Sequence, residues 1–230
     1  MHWKRYTWTG LALFVLLEWP GMAKDMPSKN GFREGLPLVY SEDFEKELQG
    51  WVFTDDSAWE IREDNGNRVL ALHKVSQYRP PVRSPLSIGR IEGLKVSDFI
   101  LEARMKQIGR EYGHRDLCVF FGYNDPSRFY YCHIATKADD HAHSVFIVDG
   151  KPRLSIARER TDGTDWGTDY HKVRIVRRTE SGLIQVFFND METPIMTAED
   201  KTFLTGEIGF GSFDDEGYFD DIRIWGKVTP

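Results

Sequence analysis

The sequence predicts an all-β domain whose antiparallel strands fold into a two-sheet sandwich or a barrel. Three observations carry that expectation. Short runs of β-branched and aromatic residues recur with period 2, turn-forming residues separate them, and no window holds the sustained 3.6-residue apolar stripe that a helix needs. Strands joined by hairpins, with no helical crossover between them, pair antiparallel and bury one face against a second layer.

The elements follow in chain order. Residues 1–23 read as a secretory signal: Lys4 and Arg5 precede an unbroken apolar run over 11–17, and Gly21-Met22-Ala23 offers small residues before a cleavage after Ala23. That run is far short of the ~20 residues of a membrane span, so no membrane insertion is expected once the signal is removed. Residues 24–36 are polar and rich in Gly and Pro, and read as a disordered leader. Residues 37–230 have the length of one sandwich or barrel domain. Within them the predicted strands are 59–61, 69–73, 99–105, 117–123, 129–134, 145–148, 154–157, 173–176, 184–188, 208–213 and 219–225. Asn65-Gly66, Asn124-Asp125-Pro126, Asp149-Gly150, Glu180-Ser181-Gly182 and Asn189-Asp190 supply the turns between them.

Charge narrows the partners. The formal charge is −6, and losing Lys4, Arg5 and Glu18 with the signal makes it −7. An acidic chain without a basic patch has no electrostatic footprint for nucleic acid or anionic lipid. A neutral or cationic partner fits better.

The order DFEKELQGWVF, Trp59-Glu60-Ile61, SDFILEARM, YHKVRIVRRTESGLIQVFFND and GEIGFGSFDDEGYFDDIRIWG resembles the concanavalin A-like lectin/glucanase superfamily. The resemblance spans roughly residues 38–227, and is nearest to laminin-G-like domains and to secreted bacterial 3-keto-disaccharide hydrolase domains. It implies a jelly-roll sandwich that handles carbohydrate or acts as a non-catalytic adhesion module. The Glu-x-Asp-x-Glu strand of the superfamily's glucanases is missing. GREYGHRD stands where the keto-disaccharide hydrolases usually carry an Asn-Ser-Gly turn. Calcium often joins the first and last strands of such jelly rolls, and Asp43 and Asp220 stand in those places. Asp220 and Asp221 would point to opposite faces of a regular strand, so at most one of them is a ligand.

Two polar segments carry the remaining chemistry. If residues 124–127 turn tightly, strands 117–123 and 129–134 form a hairpin, and GREYGHRD (109–116) and HIATKADDHAH (133–143) meet at its open end. His114, Arg115, Lys137, Asp140 and His141 then become candidate sugar contacts, because sugar hydroxyls need bidentate polar partners. Tyr131 or Trp166 is the candidate stacking floor, with Tyr112 and Tyr130 as the other rings at hand. Asp116, Asp139 and His143 are the candidate acid–base groups, since hydrolysis needs a pair within about 5–10 Å and these segments are the dense source of one. His133, His141 and His143 have the spacing of a three-nitrogen metal site, and equally that of a solvated loop. Cys118 and Cys132 flank the turn at similar distances, which leaves a disulfide and two buried thiols as open alternatives.

Overall fold

Alternation of buried and exposed positions decides which of these stretches become strands. The computed structural model describes residues 31–230; the signal (1–23) and residues 24–30 of the leader lie outside the described residues. In chain order the strands are β1 (Phe32–Arg33), β2 (Leu36–Glu42), β3 (Trp51–Phe53), β4 (Trp59–Asp64), β5 (Asn67–Leu72), β6 (Ser87–Gln107), β7 (Asp116–Asp125), β8 (Arg128–Ala135), β9 (Ser144–Asp149), β10 (Leu154–Ser155), β11 (Ala157–Arg160), β12 (His171–Arg178), β13 (Leu183–Phe188), β14 (Met196–Glu199), β15 (Gly206–Ser212) and β16 (Gly217–Val228). One 3-10 turn, Asp56–Ala58, precedes β4.

Neighbours pair antiparallel in the order β10, β9, β8, β7, β15, β6, β12, β13, β14, β11, while β16 joins β6 to β2 and β5. The 21-residue β6 belongs to both layers. Its start pairs with β15 and β3, and its end with β12 and β16. Between the two parts Gly93 takes φ +72°, and Glu207 of β15 fastens the bend by accepting from the Gly93 N–H at 2.9 Å and pairing with Arg90. Leu101, Val173, Ile175, Ile184 and Ile224 of one layer meet Leu117, Val119, Phe121, Tyr130 and Phe210 of the other in one buried cluster. This is the two-sheet jelly-roll sandwich.

Both outer faces also hold apolar clusters. Cys118, Phe120 and Tyr123 of β7 turn away from the core and pack with Phe129, Tyr131 and Phe146, with Val82 against them. On the opposite layer Leu36, Ile100, Val176, Phe187 and Trp225 cluster, and the Arg33 guanidinium stands 5.3 Å over the Trp225 ring. Residues 32–36 are therefore part of the fold, with β1 paired to β2, and the leader expected over 24–36 does not extend through them. The predicted strand 154–157 divides into β10 and β11, which pair with β9 and β14 respectively. β1, β2, β3, β14 and the first half of β6 lie outside the predicted strands. In β6 the glycines and charges of Gly89, Arg90, Glu92, Gly93 and Lys95 interrupt the apolar period.

Candidate functional site

The β7–β8 hairpin forms in the expected register, with Asp116 opposite Ala135, Cys118 opposite His133, and Asp125 opposite Arg128 at the turn. Its open end brings the two polar segments together. Lys137 N–H donates to the Gly113 carbonyl at 2.8 Å, Thr136 N–H to the Arg115 carbonyl at 3.1 Å, and the His114 ring pairs with Asp139. Gly163 holds a third segment against them: at φ +143° a β-carbon there would come within 1.9 Å of the Thr136 carbonyl oxygen.

Burial then separates the candidates. His114, Lys137, Asp140 and His141 are exposed and Asp139 half-buried, so these form a solvated rim. Arg115 turns inward, its Nε 2.5 Å from Gln107 Oε1 and its Nη2 3.0 Å from the Gln107 carbonyl. The two rings expected as a stacking floor are closed off. Tyr131 is fully buried with its hydroxyl accepting from Arg153 Nη1 at 3.1 Å, and Trp166 is buried in the main core with Nε1 donating to the Ile134 carbonyl at 3.0 Å. Period 2 says which face a ring takes, and here both faces of the strand are packed.

His143 is likewise unavailable as an acid or base. It is fully buried at φ +50°, its Nδ1 accepts from the Ala135 N–H at 3.4 Å, and its Nε2 donates to Thr161 Oγ1 at 2.9 Å. Burial first, with the neighbouring His133 and Arg160 side chains adding to it, pushes the ring down to about 4, so it is neutral. The three-histidine metal site does not assemble, because His141 is exposed and offers only its carbonyl to His133 Nδ1 at 3.1 Å.

Below the rim lies an acidic cluster. Asp116 is fully buried and accepts from Ser212 Oγ, Phe213 N–H and the Cys118 thiol, each at 3.1 Å. Burial alone would raise this carboxyl, but His133, the thiol and the Phe213 N–H together hold it below the usual range. Asp215 accepts from the Asp116 N–H at 3.0 Å and the Tyr112 hydroxyl at 2.7 Å. Burial first, then the Asp116 charge, raises Asp215 to about 7, and the same two causes raise Asp214. Two carboxylates this close cannot both ionise freely. The cysteines are free thiols: Val119, not Cys118, faces Cys132, so the two sulfur atoms lie on opposite faces of the layer.

A second polar site, which the sequence reading missed, lies on the outer face of the other layer. Glu102 and Arg104 alternate outward along β6, where Tyr170, Lys172, Asn189, Asp221 and Arg223 join them around an open groove of about 410 Å³. A β-bulge shapes it. β16 inserts a residue between Asp220 and Arg223 against β6, and Asp221 takes φ +48°. The expectation that Asp220 and Asp221 diverge assumed a regular strand; the bulge sets both carboxylates on Arg104 Nη1, at 3.3 and 3.1 Å. Asp220, buried, also accepts from Asn67 Nδ2 at 2.9 Å, and exposed Asp43 accepts from the Glu45 N–H at 3.3 Å. Among the described residues the acidic groups that gather closely enough to hold an ion are Asp116, Asp214 and Asp215, and neither Asp43 nor Asp220 is one of them.

The groove is rigidly furnished. Tyr170 donates to Asp64 Oδ2 at 2.9 Å, and the Arg104 guanidinium lies 4.6 Å from its ring centroid. Asn189 donates to His171 Nδ1 at 2.9 Å and accepts from the Lys172 N–H at 3.2 Å. Glu102 gathers Arg33, Lys172 and Arg174 at 2.7, 3.2 and 2.6 Å.

No family model and no curated protein matches the chain. Solved structures do. The carbohydrate-binding module CBM66 from Bacillus subtilis superposes with a TM-score of 0.55 at 15% identity, covering 80% of this chain and 99% of that one. Lectin I-B4 from Griffonia simplicifolia, in its metal-free form, superposes at 0.53 and 14% identity, covering 80% and 97%. The GH43 protein BlXynB from Bacillus licheniformis gives 0.53 at 12% identity, with 81% of this chain matching 39% of that one. Likeness at these identities speaks to the fold, and the site has to be read from this chain's own residues. The chain carries the concanavalin A-like β-sandwich fold shared by these lectin and carbohydrate-binding structures.

Proposed function

We propose that the protein is an exported carbohydrate-binding domain, periplasmic or extracellular, whose ligand lies in the groove over β6, β12 and β16. The observation that carries this reading is the bulge at Asp221. A non-glycine residue held in left-handed backbone costs roughly 1–3 kcal/mol and persists where the surroundings over-determine it, which is commonly at a binding site. Here the strain aims a carboxylate into an open groove beside Arg104, Asn189 and the Tyr170 ring. Charged groups and an amide that pair bidentately with vicinal hydroxyls, next to a ring for the sugar's C–H face, are what a saccharide requires, and about 410 Å³ holds one or two residues of it. The lectin and carbohydrate-binding module among the similar folds support the same class of ligand.

The reading includes no cleavage step. Asp116 and His143 are buried and engaged, and Asp139 is committed to His114. The test is a glycan array, carrying neutral, uronate-bearing and sulfated sugars because Arg104, Lys172 and Arg223 line the groove. Affinity measurements on the best binder then follow. Tyr170→Ala and Asp221→Asn should each weaken binding about tenfold or more, as expected when a charge-assisted hydrogen bond or a ring contact is lost. Asp140→Ala on the hairpin rim should leave it unchanged. Full affinity in both groove variants, with loss in the rim variant, would move the ligand to the hairpin end. Release of reducing ends from the bound glycan would contradict the absence of cleavage.

A further inference from the structure

We infer that Asp116, Cys118 and His133 form a binding site for one divalent cation of the zinc class, approached from the side of Asp214. This site lies on the layer opposite the groove and is independent of the carbohydrate reading.

The donor atoms are already gathered. A ring nitrogen of His133, a carboxylate oxygen of Asp116 and the Cys118 sulfur lie within 4.8 Å of one another, and all three residues are buried. His133 Nε2 stands 3.2 Å from Asp116 Oδ2, and Cys118 Sγ 3.1 Å from the same oxygen. Tetrahedral ligands at zinc bond lengths sit about 3.4–3.8 Å apart, so an outward shift of a few tenths of an ångström admits the ion. Asp214 and Asp215 gather within the same distance around Asp116, and Asp214 is exposed. That second group includes neither Cys118 nor His133, so the three buried residues supply the protein donors and solvent completes the coordination from the Asp214 side.

A second observation points to a ligand. His133 Nδ1 is 3.1 Å from the His141 carbonyl, which can only accept, so Nδ1 carries the ring proton. In a neutral ring Nε2 is then a bare lone pair facing a carboxylate. It is buried and has no aligned hydrogen-bond partner. Two acceptors set face to face at 3.2 Å need a cation or a proton between them. Metal-bound histidines are commonly held in this way, with the far N–H given to a backbone carbonyl.

Charge decides the class of ion. One carboxylate, one thiolate and one dication sum to zero, which a buried site tolerates. The thiol proton now directed at Asp116 Oδ2 leaves for solvent as the ion arrives, so binding releases a proton. A sulfur and a nitrogen donor favour zinc or cobalt over calcium or magnesium, which take oxygen.

The experiment uses the full chain without a histidine tag, stripped with chelator and titrated with Co²⁺. One equivalent should bind, giving thiolate-to-cobalt charge-transfer absorption in the near ultraviolet, and Zn²⁺ should bleach it and raise the melting temperature. Cys118→Ser should abolish the band, while Cys132→Ser, which alters the buried thiol on the opposite face, should keep it. The wild-type spectrum is decisive even if Cys118→Ser does not fold. Absence of stoichiometric cobalt, or binding without the charge-transfer band, would overturn the inference and leave His133 as an imidazolium paired with Asp116.

Discussion

His143 stands two residues from an exposed histidine and is itself fully enclosed. Its spacing suggested an imidazole shared with His141, but a positive φ turns it inward to Thr161. This has a consequence for stability against pH. The folded ring is held at about 4, below the ~6.5 of an unfolded histidine, so the unfolded chain binds the extra proton between those values. The contribution is complete above about pH 6.5 and is lost as pH falls toward 4, a change on the order of 3 kcal/mol. Thermal melts of wild type and His143→Gln should therefore differ most near pH 7 and converge at pH 4; a gap that stays constant would show that the ring titrates normally. The two thiols make a second residue-scale case. Equal spacing from a turn brought Cys118 and Cys132 to neighbouring strands but one register step apart, on opposite faces. Reductant should leave the melting temperature unchanged, and a thiol reagent should modify both cysteines only after denaturation. A mass two hydrogens short of the reduced chain would show a disulfide.

The β7–β8 hairpin was legible as an element because Asn124-Asp125-Pro126 sits midway between two strands of equal apolar character, and the Asp125–Arg128 pair at 2.7 Å closes it. The meeting of 109–116 with 133–143 followed from that register alone. What alternation did not disclose was exposure. β7 and β8 are packed on both faces, so Tyr131 had no open side to offer a ligand. The groove was hidden for a different reason: a bulge changes the two-residue period locally, and Asp220-Asp221 carries no signature distinguishing it from a regular strand. Segment 161–166 supports the hairpin end through Gly163, whose replacement by Ala combines a strained φ with a backbone collision. Gly163→Ala should cost roughly 2–4 kcal/mol in a denaturant titration. A loss under 0.5 kcal/mol would mean that this segment is not held against Thr136.

At the scale of the whole molecule, the all-β class followed from period-2 runs and turn residues, and the jelly-roll path from the resemblance. The ends of the path were harder to read: β6 serves both layers, and β16 reaches three neighbours. Among the described residues no helix is long and apolar enough to cross a membrane. Export rests on the pattern over residues 1–23; N-terminal sequencing of the protein from its native source should begin at or near Lys24, and an intact Met1 would contradict it. The central claim is that one face of this sandwich, the bulged groove, receives a glycan. Backbone amide shifts recorded while titrating the best array binder into the labelled protein test it most directly. The account predicts that perturbations concentrate at Glu102–Arg104, Tyr170–Lys172, Asn189 and Asp221–Arg223; perturbations confined to Gly113–His114 and Lys137–His141, with the groove silent, would contradict it.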